Sequence, residues 1–310
     1  MRGFEGEVAV VTGGGSGIGR AIAAELVRAG ARVAVADIDA DAAERAAREL
    51  GVEAFQVDVS STSSVQALAA GVRDRLGPAA VLVNNAGVAS AAPLERMTDA
   101  DWDWLLGVNL SGTIHGVTAF LPQLRQTRGR ILNTGSMAGL SPDAGMGGYG
   151  TTKFAVTAYT EVLAEELAAD GIAVTLLAPG PVRTALGSSS RNRPGSAGAG
   201  GAVDAGAGGL DGAADRGLVD VDLAAGDGAG LRWITAEEVA AVALDALRDG
   251  RRYAITHPDW AHVVHARHCA IEKAFADALA HEQESRSTER ETGASVGSDA
   301  DTDQDQGTTR

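Results

Sequence analysis

The chain has 310 residues, 45% hydrophobic and 22% charged, the make-up of a folded globular protein with a substantial core. Its formal charge of −15 argues against nucleic acid or anionic membrane as the main partner, because both would repel it. The single cysteine, Cys269, rules out an intrachain disulfide and fits a reducing, cytoplasmic setting. The start, with Glu5 and Glu7 before the short apolar run Val8–Val11, has the pattern of neither a leader peptide nor a membrane span.

Taken in order, Glu7–Thr12 is predicted as a short buried strand, and Gly13 to Gly19 as a glycine-rich turn. Ile18, Ile22 and Leu26 then mark a helix that closes at Gly30. The pattern repeats. A strand over Arg32–Ala36 ends on Asp37, a helix covers about Ala40–Leu50, and a strand over Ala54–Val57 ends on Asp58. Another helix, about Ser63–Leu76, leads to a strand over Ala80–Val83 that ends on Asn84-Asn-Ala-Gly87. Strands alternating with helices of this length predict βαβ units and a parallel sheet, with right-handed crossovers placing helices on both faces.

Thr98 is suited to cap a helix over Asp99–Asn109, and a second helix over Ser111–Thr127 carries Pro122, which is expected to kink it. The strand Arg130–Thr134, a helix from Tyr149 to about Asp170 and the strand Ile172–Leu177 complete the repeat, which runs into Ala178-Pro-Gly-Pro-Val-Arg183. The regularity then stops. Residues 187–230 hold 13 of the 41 glycines and are expected to be a lid or disorder, since they offer little apolar surface to offset ordering entropy. Thr235-Ala-Glu-Glu238 opens a helix to about Asp249 with a capping-box pattern, followed by a strand over Arg252–Thr256 and a helix over about Asp259–Leu279. One domain is expected over residues 1–282, with 283–310 a disordered acidic tail. Residues 281–310 carry eight Asp/Glu against three Arg.

Two constellations carry chemistry. The first is Thr12-Gly-Gly-Gly-Ser-Gly-Ile-Gly19, between a strand and a helix. Without Cβ atoms, Gly13, Gly17 and Gly19 allow a tight turn and a close approach of backbone N–H groups to a pyrophosphate, aided by the helix N-terminus. Asp37, at the end of the second strand, would accept hydrogen bonds from ribose hydroxyls and repel a 2′-phosphate, which favours NAD over NADP. The second is Ser136 at a strand end, with Tyr149 and Lys153 one turn apart on the following helix and therefore on one face. Singly, each residue also reads as a cap or a surface group. Behind a dinucleotide turn, their combination is a proton-transfer device.

The residues Thr12–Gly19, Asp58, Asn84–Gly87, Asn109, Ser136, Tyr149, Lys153 and Pro179-Gly180 together resemble the short-chain dehydrogenase/reductase family, in its order and spacing. The resemblance implies a single Rossmann-type α/β domain, a doubly wound parallel sheet of about seven strands. It implies an NAD-dependent oxidoreductase acting on secondary alcohols or ketones, with Asn109, Ser136, Tyr149 and Lys153 catalytic. Cofactor-binding residues would include Gly13, Ser16, Gly17, Ile18, Gly19 and Asp37 at the first turn, with Asp58 and Val59 at the adenine. Asn85, Ala86 and Gly87 would support the cofactor, Tyr149 and Lys153 would approach it, and Pro179, Gly180, Val182 and Thr184 would pass the nicotinamide side. Lys153 and the nicotinamide charge are expected to lower the Tyr149 pKa, and Asn109 to hold a relay water. Family members assemble as dimers or tetramers, here through the helices near 111–127 and 149–170.

Val88–Leu94, Met137–Met146 and the stretch after Val182 are expected to line a rather hydrophobic pocket. An epimerase or dehydratase on the same scaffold, or a nucleotide-sensing protein, are the alternative readings. His262, His265, Cys269 and Glu272 share a helical stripe, but surface or interface histidines are the expected account rather than a metal. Trp102 and Trp104 lie two apart and cannot share a helix face, so one or both are expected in the core.

Overall fold

The structure is a computed structural model that describes residues 3–184, 186, 202–204, 220–222 and 232–296. By internal contacts the chain falls into two compact units, Met1–Pro258 and Asp259–Arg310.

The first unit is built on a seven-stranded parallel sheet in the order β3-β2-β1-β4-β5-β6-β9. Its strands are β1 (Val8–Thr12), β2 (Arg32–Asp37), β3 (Glu53–Gln56), β4 (Ala79–Asn84), β5 (Arg130–Thr134), β6 (Ala173–Ala178) and β9 (Tyr253–Ile255). The order reverses between β1 and β4, so the strand ends diverge there and open a crevice at the C-terminal edge. The short, near-continuous apolar runs reflect burial on both faces: every residue of β1 and β4 is buried.

The helices are α1 (Gly17–Arg28), α2 (Ala40–Leu50), α3 (Thr62–Leu76), α4 (Asp99–Leu106), α5 (Gly112–Thr127), α6 (Gly147–Glu166) and α7 (Ala236–Asp249). One core layer joins α1, α2 and α7 to the sheet through Ile22, Leu26, Ala46, Val239 and Leu244. The opposite layer joins α3, α5 and α6 through Leu68, Phe120, Leu124 and Leu163. Each such aliphatic or aromatic side chain, taken fully from water, contributes about 1.5–3 kcal/mol. Asp39 and Ser61 cap α2 and α3, and Thr98 and Thr235 close complete capping boxes on α4 and α7.

Three expectations are corrected. The helix predicted over Asp99–Asn109 stops at Leu106 and passes through a wide turn, Gly107–Ser111, straight into α5. α5 continues through Pro122, with Phe120 and Leu124 buried on either side of it. Within residues 187–230, Ala202–Asp204 (β7) and Asp220–Asp222 (β8) pair in parallel; the rest of that segment lies outside the described residues. In the second unit the last helix, α8, runs over Ala261–Val296 rather than ending at Leu279. Helix-forming residues continue beyond Leu279, with an i,i+4 pair between Arg286 and Glu282. The expected tail therefore begins as helix, and residues 297–310 lie outside the described residues.

The run Asp99–Thr127 is apolar enough by composition to cross a membrane, with a mean hydropathy of 1.2. Here its apolar residues Leu105, Val117, Phe120 and Leu124 are buried in the core.

Candidate active site

The glycine turn is held from below by a strand-end network. The Thr12 hydroxyl accepts the amides of Asn85 at 3.0 Å and Ala86 at 3.2 Å. In return the Asn85 amide group donates to the carbonyls of Thr12 and Gly13, at 3.2 and 3.3 Å, and its oxygen accepts Thr134 Oγ1 at 3.4 Å. Asn85 thus ties the ends of β1, β4 and β5 together. Gly13 has a φ of 61°, and a Cβ there would sit 2.8 Å from Ala86 Cα; one on Gly19 would collide with the Gly13 carbonyl.

Gly17 has a φ of 52° and faces the Thr184 side chain across the space a Cβ would take, at 3.3 Å. Asp37 reaches the same turn, with Oδ2 accepting the Gly15 amide at 3.0 Å and Oδ1 the Asp39 amide at 3.1 Å. Ser16 stands at the α1 N-cap without capping it through its side chain, and Ile18 packs against the core behind. A Cβ-free cradle, an uncapped helix N-terminus and a carboxylate at the second strand end fit an adenine dinucleotide.

Asp58 and Val59 follow β3. Asp58 Oδ1 accepts the Ser60 amide at 2.9 Å and the Ser60 hydroxyl at 2.6 Å. The Val59 carbonyl takes His115 Nδ1 from α5 at 2.9 Å, while Val59 packs where Gly112 leaves room.

Beyond β4 and β5 the second constellation comes together. Ser136 leaves β5 extended and starts a short turn, Met137–Gly139, with its hydroxyl accepting the Ala138 amide at 3.1 Å. α6 brings Tyr149 close enough for the Ser136 hydroxyl to act on the phenol. Lys153 Nζ donates to the Thr134 carbonyl at 2.8 Å and lies 5.6 Å from the centre of the Tyr149 ring. All three side chains are buried. Gly87 is the spacer between Lys153 and Asn109: a Cβ there would lie 3.7 Å from Nζ and 3.4 Å from Asn109 Oδ1.

Burial changes both titrating groups. It pushes the Tyr149 phenol above its usual 10.0, partly countered by the Ser136 hydrogen bond. It brings Lys153 from 10.5 down to about 8. The lowered phenol expected from the sequence is therefore not what the protein alone provides, because desolvation outweighs the effect of the Ser136 hydroxyl.

Asn109 lies in the wide turn after α4, and its side chain is fully engaged. Its oxygen accepts the Val88 amide at 2.8 Å, and its nitrogen donates to Val88 O and Thr152 Oγ1, both at 3.0 Å. Its main-chain carbonyl accepts the Thr113 hydroxyl at 2.9 Å.

On the far side, the Pro179 carbonyl takes the Met137 amide at 2.8 Å and the Ser136 hydroxyl at 3.4 Å. Val182 is buried and bridges to Ile234 in parallel. The expected pocket walls meet through the Ala92 amide, which donates to the Gly145 carbonyl at 3.0 Å. Trp104, buried with Val88 and Leu105, backs the first wall, while Trp102 is only half-buried. Sequence reasoning gave Thr12 and Thr134 no bonding role, since those roles depend on strand neighbours, and it missed His257, considered below. It gave no role to His115 either. Among the described residues no group of three His, Cys, Asp or Glu is placed to hold a metal; Cys269 Sγ lies 3.4 Å from His265 Nε2 on the surface of α8.

The model of the family described as short chain dehydrogenase matches residues 7–195, which contain both constellations. The chain belongs to the short-chain dehydrogenases. Like other members it is an oxidoreductase acting on small molecules. It is 38% identical over 197 residues to D-threitol dehydrogenase of Mycolicibacterium smegmatis, covering 62% of this chain and 76% of that one. A short-chain dehydrogenase/reductase from Burkholderia phymatum, solved in complex with NAD, superposes with a TM-score of 0.78. It is 34% identical and is covered to 97% by 88% of this chain. A metagenomic short-chain oxidoreductase solved in complex with NADP is 37% identical with a TM-score of 0.55, over 57% of this dehydrogenase and 83% of its own chain.

Proposed function

We propose that this dehydrogenase interconverts a secondary alcohol and a ketone with NAD, using Tyr149 as the general acid and base. The observation that carries the reading is the buried cluster of Tyr149, Ser136 and Lys153, set beside a glycine cradle whose second strand ends on Asp37.

Bound nicotinamide dinucleotide supplies the hydride acceptor or donor. The chain's own residues move the proton. In the oxidation direction Tyr149 takes the alcohol proton on its phenolic oxygen, and in reduction it returns that proton to the nascent alkoxide. Ser136 donates to the substrate oxygen and fixes its distance from the phenol. Lys153, anchored on Thr134, places a positive charge beside the phenol and would reach the nicotinamide ribose. With the Asn109 side chain engaged by Val88 and Thr152, its main-chain carbonyl is the group that would hold a relay water.

Asp37 spends one oxygen on Gly15 and one on Asp39, which fixes the carboxylate at the strand end. A fixed negative charge there favours ribose hydroxyls over a 2′-phosphate, hence NAD over NADP. The relative that acts on D-threitol makes polyols a sensible first substrate class. We also propose a homodimer or homotetramer through the outward faces of α5 and α6.

The test is NADH formation against a panel of polyols and other secondary alcohols, run in parallel with NADP. NAD-dependent turnover of a member supports the reading. Tight NAD binding without net NADH on any substrate would favour an epimerase, a dehydratase or a nucleotide sensor instead.

A further inference from the structure

His257 follows β9 and is wholly buried. Its Nε2 lies 2.9 Å from the Arg232 carbonyl, which can only accept, so Nε2 carries the proton. In that neutral ring Nδ1 is an acceptor, and it takes the Gly180 amide at 3.1 Å. The Thr256 hydroxyl supports the same corner, 2.7 Å from Nδ1 and 3.3 Å from the Gly180 nitrogen. A Cβ on Gly180 would stand 2.6 Å from Nδ1, so this approach needs glycine.

The Gly180 N–H and the Pro179 carbonyl belong to one planar peptide group. That carbonyl receives both the Met137 amide and the Ser136 hydroxyl. One rigid plate thus has the Ser136 hydroxyl on one edge and the buried imidazole on the other. The Met137 contact at 2.8 Å is the strong one. The Ser136 contact at 3.4 Å leaves that hydroxyl able to turn toward Tyr149.

We propose that His257 is a positioning residue for Ser136, acting through the Pro179–Gly180 peptide. Through Nε2 it also ties the catalytic edge to Arg232, where the described chain resumes after the glycine-rich segment. The proposal rests on the dehydrogenase reading for its catalytic consequence, but the clamp itself does not depend on it.

The two ring nitrogens can be separated. His257→Asn keeps an acceptor near Nδ1, and His257→Gln keeps a donor near Nε2. Amide hydrogen exchange at Gly180 reads the clamp without any turnover. It should stay slow in wild type and His257→Asn, and accelerate about two- to tenfold in His257→Gln, corresponding to one lost hydrogen bond with Thr256 Oγ1 still in reach of the amide. With NAD and a polyol accepted by the wild type, kcat should fall in His257→Gln while KM for NAD is unchanged, and His257→Asn should restore most of it. Equal Gly180 exchange in both variants, or equal kcat in both, overturns the proposal. A wild type with slow Gly180 exchange but no turnover of any alcohol counts against the dehydrogenase reading and leaves the clamp standing.

Discussion

At the scale of single residues, the site works by placing groups that water would otherwise keep ordinary. Lys153 is buried with its ammonium on one carbonyl, and its pKa falls to about 8 from 10.5. Between those values the unfolded chain holds a proton that the folded chain does not, so this group makes stability rise with pH across that window. Tyr149, raised above 10.0, binds more protons when folded and opposes the rise only beyond that value. Lys153→Met removes the lysine contribution. The unfolding free energy of wild type relative to this variant should therefore climb by roughly 2–3 kcal/mol from about pH 8 to about pH 10. A difference that stays flat with pH would show the ammonium is not desolvated. Asp37 has a separate job. Asp37→Ala should weaken NAD about tenfold or more and narrow the gap to NADP, because a charge-assisted hydrogen bond to the ribose is lost. Fluorescence titration with both dinucleotides checks it, and a wild type that prefers NADP would contradict the reading of the carboxylate.

At the scale of elements, close approach decides how α5 sits on the sheet. A Cβ on Gly116 would collide with Asn84 Oδ1, a buried oxygen whose amide partner atom holds Asn133 at 2.9 Å. Gly116→Ala should cost about 1–3 kcal/mol through overpacking. Gly150→Ala on α6, whose nearest atom would be 3.5 Å away, should be neutral or slightly stabilising. Similar thermal melts for the two variants would contradict this packing. The strands and most helices were legible because period and punctuation agreed: Thr98 and Thr235 each announce a helix that forms. The turn at Gly107–Ser111 was not, since nothing local distinguishes it from helix; it brings Asn109 to Val88 and Thr152, which are distant in sequence. The joint spacing of Ser136, Tyr149 and Lys153 could be read from one strand and one helix. The Thr12–Asn85–Thr134 network and the His257 clamp could not, because their partners lie 25 to 77 residues apart.

At the scale of the whole molecule, both constellations lie at the strand ends where the sheet order reverses, as the switch-point rule for open parallel sheets requires. α6 also turns an apolar side chain outward, with Val162 at 58% exposure. For the proposed assembly, sedimentation equilibrium should give a dimer or tetramer, and Val162→Arg should shift it toward smaller species. A wild-type monomer at micromolar concentration would contradict it.

The central claim is that a buried phenol transfers the proton while neighbouring groups hold substrate and cofactor. Tyr149→Phe removes one oxygen and leaves the ring to pack. Measured side by side with wild type, it should bind NAD with nearly unchanged affinity yet lose turnover by at least about a hundredfold, the scale of general acid–base catalysis. Turnover retained at the wild-type rate would contradict the account.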